Sequence, residues 1–289
     1  MLDKAEEFNI ILNFHYTVLE LSGQALWDVI SKAKVYDLGQ PYWWGMPVHP
    51  ADPPFLFFLY RYHEHTKELF KEIAPGFADS ISLIVTSMHA GTHFDVPIHM
   101  SRNLKVLGHD ITPYQQDKGY VNLPEPLHSM EKVPPLVLRG VLLDIPAYKG
   151  LDILPERYEI RPEDLDGAAK KEGVEIKEGD CVLVRTGYSR YFQTDADAYL
   201  HKFAGLGADG ARWLAAKKIR LFGIDNLAIG VPKPFECHNI FLSDNGIYVM
   251  KSLNLEALAK DKQYVSTVIV LPLKIKGGEA SLIRPIALA

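Results

Sequence analysis

The stretch His89-Ala90-Gly91-Thr92-His93-Phe94-Asp95-Val96-Pro97-Ile98-His99 puts three imidazoles and a carboxylate into eleven residues. Every candidate ligand falls on an odd number, whereas Ala90, Phe94, Val96 and Ile98 fall on even ones. Extended chain therefore sends ligands to one face and apolar groups to the other. A helix would also align His89 with His93, but Gly91, Pro97 and the β-rich run before them speak for strand. At about 3.3 Å per residue an unbroken strand separates His89 from His99 by roughly 33 Å, beyond the reach of one ion. The chain must bend, and Gly91 and Pro97 are the residues that permit it. Imidazole nitrogen and carboxylate oxygen suit zinc, manganese or ferrous iron better than calcium, and three protein ligands leave positions open for water. Burying these groups beside an apolar face is costly unless they share a charge partner, so the segment reads as a catalytic metal site.

Outward from this segment, strand and helix signals interleave. Ser80–Ser87, Leu136–Ile145, Cys181–Arg185, Leu221–Ile224, Ile247–Met250 and Ser266–Leu271 are apolar or β-branched runs of strand length. Helices are expected over Glu64–Ala74, over Arg161–Gly173, which opens on a proline and closes on a glycine, and over Ala208–Lys217. Leu123–Pro135 carries four prolines and reads as irregular. The alternation makes the fold class α/β, without internal repeats. Residues 1–34 read as an N-terminal helical arm, with Leu19, Leu21, Leu26, Val29 and Ile30 loosely on one face, placed to pack on a neighbouring subunit; residues 35–289 form the main domain.

Composition narrows the functional classes. The 289 residues are 47% hydrophobic and 23% charged, ample for a packed core. With 31 Lys and Arg against 36 Asp and Glu, the net charge of −5 argues against nucleic acid or an anionic membrane as partner. A small-molecule substrate is expected. Cys181 and Cys237 form no CxxC pair, no run reaches the roughly 20 apolar residues of a membrane span, and Asp3, Glu6 and Glu7 stand where a secretory signal is basic. A cytoplasmic protein is the reading. No GxSxG elbow occurs, and Gly205-Leu206-Gly207 lacks the third glycine of a dinucleotide fingerprint. His63 and His65 sit in a charged stretch and read as solvated.

His89 to His99 also matches HxGTHxDxPxH and so resembles the cyclase family of metal-dependent hydrolases, which includes kynurenine formamidases and isatin hydrolases. Tyr36-Asp37-Leu38, Gly45-Met46-Pro47, Pro53-Pro54-Phe55, Gly179 to Gly187, Gly223-Ile224-Asp225, His238 and Leu253-Asn254-Leu255 extend the resemblance over about residues 35–275. It implies a swivelling β/β/α fold and a homo-oligomer, dimer or tetramer. It further implies that His89, His93 and Asp95 bind a divalent metal, zinc or manganese, with His99 as base or second-site ligand and His238 supporting the catalytic water or a second ion. Where the family commonly carries a glutamate, Tyr248-Val249-Met250-Lys251 brings Lys251, and Ala228 and Gly230 replace a usual Ser and Asp. An ammonium in place of a carboxylate removes a ligand and adds repulsion, so one ion per subunit is expected. If Lys251 points inward, it supplies part of the charge a second ion would give; otherwise it points to solvent.

An ion at His89, His93 and Asp95 would lower the pKa of bound water from about 15.7 toward roughly 7, and His99 would pass its proton to the leaving group. The expected activity is hydrolysis of a small amide or ester, of the arylformamide, cyclic amide or imide, or lactone type, with Trp43, Trp44, Phe55 and Phe94 as candidates to hold its apolar part. Two alternatives remain: a cyclase or lyase acting through an enolate, and a catalytically weakened metal-binding scaffold.

Overall fold

The computed structural model describes residues 22–289. Val35–Ala289 form one compact unit, and residues up to Lys34 fall outside it. In the latter, Gly23–Ile30 is helical because the Ser22 hydroxyl caps it, accepting from the Ala25 amide at 3.2 Å. Leu19 and Leu21 of the expected arm lie outside the described residues.

The main unit is built on nine strands: β1 (Val35–Asp37), β2 (His93–Asp95), β3 (Leu136–Asp144), β4 (Cys181–Arg185), β5 (Leu221–Ile224), β6 (Tyr248–Lys251), β7 (Val265–Val270), β8 (Ala280–Leu282) and β9 (Ile286–Leu288). Their spatial order is β1-β9-β7-β3-β4-β5-β6-β2-β8. The four central strands β3 to β6 run parallel, and every pairing outside them is antiparallel. Parallel strands are covered on both faces, which is why Cys181–Arg185 is buried at every position. Side chains alternate as the period of two requires: Val182, Val184, Phe222, Ile224 and Val249 join one core, Cys181, Leu183, Leu221, Tyr248 and Met250 the other.

Helices cover the first of these faces: α1 (Pro162–Glu172), α2 (Ala208–Ala216) and α3 (Pro234–Phe241). Asp164 reaches back to the Arg161 amide at the start of α1, and Gly173 closes it with φ +70°. The expected strands and helices appear within a residue or two, except that the helix expected to run to Ala74 ends at Phe70. His63 and His65 lie exposed on it. Helix α3, which carries His238, begins at Pro234 and was not foreseen.

Leu56–Arg61 and Ile81–Val85 form an antiparallel hairpin that differs from every strand of the main sheet. Its apolar side chains, among them Phe57, Phe58, Leu59, Leu83, Ile84 and Val85, are exposed on both faces. Cys181 and Cys237 are buried and unpaired, and no helix among the described residues is long and apolar enough to cross a membrane.

Candidate metal centre

Strand β2 sits between β6 and β8, with His93 opposite Lys251 on one side and Leu282 on the other. Directly paired residues share a face, and Asp95, two residues on, shares it with His93. His93, Asp95 and Lys251 therefore point to the side covered by α3, which contributes His238. Phe94 points the opposite way into the core, its ring 5.0 Å from that of Tyr248.

The chain bends at both sides of β2. Gly91 takes φ +56°, and a Cβ there would lie 2.8 Å from Tyr42 Cε1 and 2.9 Å from Met46 Cε, so both dihedral and space demand glycine. Thr92 anchors the bend, its hydroxyl accepting from the Gln40 amide and donating to the Ser252 carbonyl, each at 2.7 Å. Pro97 opens a single 3₁₀ turn to His99, which brings the His99 ring within 4.0 Å of the His89 ring. The ends of an eleven-residue segment thus meet.

Within this bend the ligand atoms of His89, Asp95 and His99 all lie within 4.8 Å of one another. His93 Nε2 stands 3.7 Å from Asp95 Oδ1. The tightest cluster thus takes in His99, expected as the base, while His93, expected as a ligand, stands beside it. The hydrogen bonds define which atoms are free. His93 Nδ1 donates to the Gly91 carbonyl at 2.7 Å, so Nε2 carries the lone pair. That Nε2 is buried without a hydrogen-bond partner, as is Asp95 Oδ2. An orphaned imidazole nitrogen beside a buried carboxylate is what a cation satisfies, so the donors fit a divalent ion.

Electrostatics point the same way. Burial, opposed by Asp95, pushes His93 and His99 down to about 3, leaving neutral imidazoles. His238 also falls to about 3, through burial and then Lys251. Burial resists ionisation of Asp95, yet the Lys251 ammonium beside it holds it well below the ordinary carboxylate range. His89 differs. Burial lowers it, but Asp95 and Glu279 outweigh burial and lift it to about 9. Its Nδ1 lies 3.0 Å from Asp95 Oδ1 and its Nε2 3.4 Å from Glu279 Oε1.

Lys251 points inward and is buried, its Nζ 3.3 Å from Asp95 Oδ2 and 3.3 Å from His238 Nε2. His238 Nδ1 donates to the Pro234 carbonyl at 2.8 Å, one helical turn back. Glu279 was missed by sequence reasoning. It arrives just before β8, its carbonyl accepting from the Val96 amide at 3.1 Å, and no local motif marks it.

The aromatic candidates separate. Phe55 is buried and Trp43 partly buried in a small cluster with Ala90, next to His89. Trp44 is 58% exposed and packs edge-on against Phe58 of the hairpin, 4.9 Å between rings. Phe94 cannot line the pocket, because its even position turns it to the opposite face of the sheet. Asp225 is also no part of the centre. It accepts from the Thr186 amide and hydroxyl and the Gly187 amide at 2.6–2.8 Å and holds that turn.

This fold and this pocket define a mixed α/β protein with a buried histidine and aspartate centre suited to a divalent cation. Residues 36–231 match the Cyclase family, described as "Putative cyclase", and the chain belongs to it. It is 27% identical over 258 residues to a kynurenine formamidase of Maricaulis maris, covering 88% of this chain and 97% of that one. It is 28% identical over 217 residues to an isatin hydrolase of Roseibium aggregatum, covering 71% and 73%. A crystal structure described as a novel cyclase shares the fold with a TM-score of 0.79 at 24% identity, over 93% of this chain and 92% of that one.

Proposed function

We propose that the protein is a metal-dependent hydrolase that opens a small amide or ester bond, of the arylformamide, cyclic amide or imide, or lactone type. The observation that carries this reading is the convergence of His89, Asp95 and His99 within 4.8 Å beside the orphaned His93 Nε2. Relatives named kynurenine formamidase and isatin hydrolase support it. Zinc or manganese held by His89, His93 and Asp95 would supply a Lewis acid that polarises the carbonyl and activates water. The protein's own groups do the rest. His93 is locked by Gly91 with its lone pair inward, which suits a ligand. His99 is partly exposed at the end of the bend, neutral, and placed to take the proton from water and return it to the leaving nitrogen or oxygen. Trp43 and Phe55 offer an apolar wall beside Ala90.

The same reading makes the protein a homo-oligomer. A two-stranded hairpin with apolar side chains exposed on both faces is marginal alone, and its free edges are self-complementary in a twofold pair. Two buried, unpaired cysteines agree with a reducing cytoplasm.

The test is a panel of aryl formamides, cyclic imides and lactones, assayed on chelator-treated protein before and after reloading with zinc or manganese. Metal-dependent turnover with products heavier by one water is the expected result. Products of unchanged mass, or activity indifferent to metal, would overturn it. Light scattering checks the assembly: Phe58→Asp with Ile84→Asp should reduce the mass to that of one chain.

A further inference from the structure

We propose that Lys251 occupies the place of a second cation, so that the centre holds one metal ion per chain and its second positive charge is covalently built in. The inference rests on the metal-centre reading above. Asp95 divides its two oxygens: Oδ1 faces His89 Nδ1 at 3.0 Å and His93 Nε2 at 3.7 Å, whereas Oδ2 faces Lys251 Nζ at 3.3 Å. A carboxylate bridging two ions divides itself in the same way. On the Oδ2 side, His238 also directs a lone pair inward, because its Nδ1–H is spent on the Pro234 carbonyl, and that Nε2 lies 3.3 Å from the same Nζ. The His99 ring is 6.2 Å from the His238 ring. Asp95 Oδ2 and His238 Nε2 are donors of the kind that bind zinc or manganese. The ammonium stands among these donors and is only 7% exposed.

Its position is imposed by the sheet. Lys251 pairs with His93 across β6 and β2, so it shares the ligand face with Asp95 and meets it diagonally. An ion bound to both Asp95 Oδ2 and His238 Nε2 would crowd Nζ and be repelled by it. The ammonium instead hydrogen-bonds to His238 Nε2 and pairs in charge with Asp95 Oδ2, each at 3.3 Å, offsetting the charge of a fully buried carboxylate. The first ion's ligands, His89 and His93, lie on the Oδ1 side.

The experiment counts metal ions per chain by plasma mass spectrometry on the full protein, equilibrated with zinc or manganese over a range of concentrations and freed of unbound ion. Wild type should hold one ion and stay at one into the millimolar range. Lys251→Glu, which turns the cation into a ligand, should hold two, its second-ion affinity raised by on the order of a hundredfold or more, the scale on which single groups around a metal act. Lys251→Met, which only removes the charge, should gain a second ion more weakly and covers the case in which Lys251→Glu does not fold. Two ions in the wild type, or one ion in every variant that folds, overturns this inference while leaving the metal centre standing. No ion in any of them overturns both.

Discussion

The two oxygens of Asp95 look into different chemistry. On the side of Oδ1 are His89 and His93 of the bent eleven-residue segment, with His93 Nε2 unsatisfied; on the side of Oδ2 is Lys251, 3.3 Å from that oxygen and 3.3 Å from His238 Nε2. One side offers a buried acceptor without a partner and the other holds an ammonium. On the proposal above, a single residue on β6 sets the number of ions the pocket takes without moving the backbone that shapes it.

The Oδ1 side breaks first. His93→Ala removes an inward lone pair that nothing else in the site replaces, so the variant should retain no ion after gel filtration and turn over at background rate. His99→Ala should keep the ion and lose turnover by about 10²–10⁴, the usual contribution of a positioned general base. Equal loss of metal in the two variants would make His99 a ligand, as its place in the tight cluster would then require. Glu279→Gln puts a neutral amide in place of the carboxylate that steadies His89, and metal affinity should fall by about 10–100-fold, measured by competition with a chelating dye.

The smallest effect is a control outside the centre. Glu172 is pushed up to about 8 from an ordinary 4.5, chiefly by burial and in part by Asp144, whose amide donates to it at 2.8 Å. Its folded form holds the proton more tightly than the unfolded chain does, so its contribution to stability is full below 4.5 and is lost as pH rises toward 8. Glu172→Gln stays neutral at every pH. Its Tm should match wild type near pH 4.5 and exceed it at pH 8 by a few degrees, on a scale of about 2–4 °C per kcal/mol. Metal content should not change.

Much of this was legible in the sequence because the relevant signals are local. The odd and even positions of residues 89–99 state which groups share a face, and Gly91 and Pro97 mark the bends. The same parity already assigns Phe94 to the core, so its candidacy as a substrate contact conflicted with the strand reading itself. The direction of Lys251 was not legible, since it depends on the register between β6 and β2, strands more than 150 residues apart. Glu279 was hidden for a similar reason: it reaches His89 only because β8 pairs with β2. The hairpin shows another limit. Ile81–Val85 has the composition of a buried strand and is exposed throughout, because apolar content does not say whether a strand meets its own core or another chain.

The most direct test of the centre is a crystal structure of the metal-loaded protein with anomalous data at the zinc and manganese edges. One peak per chain on the Oδ1 side of Asp95, within bonding distance of His89 and His93, with Lys251 still on Oδ2, is the predicted result. Histidines splayed apart with no peak between them would contradict it.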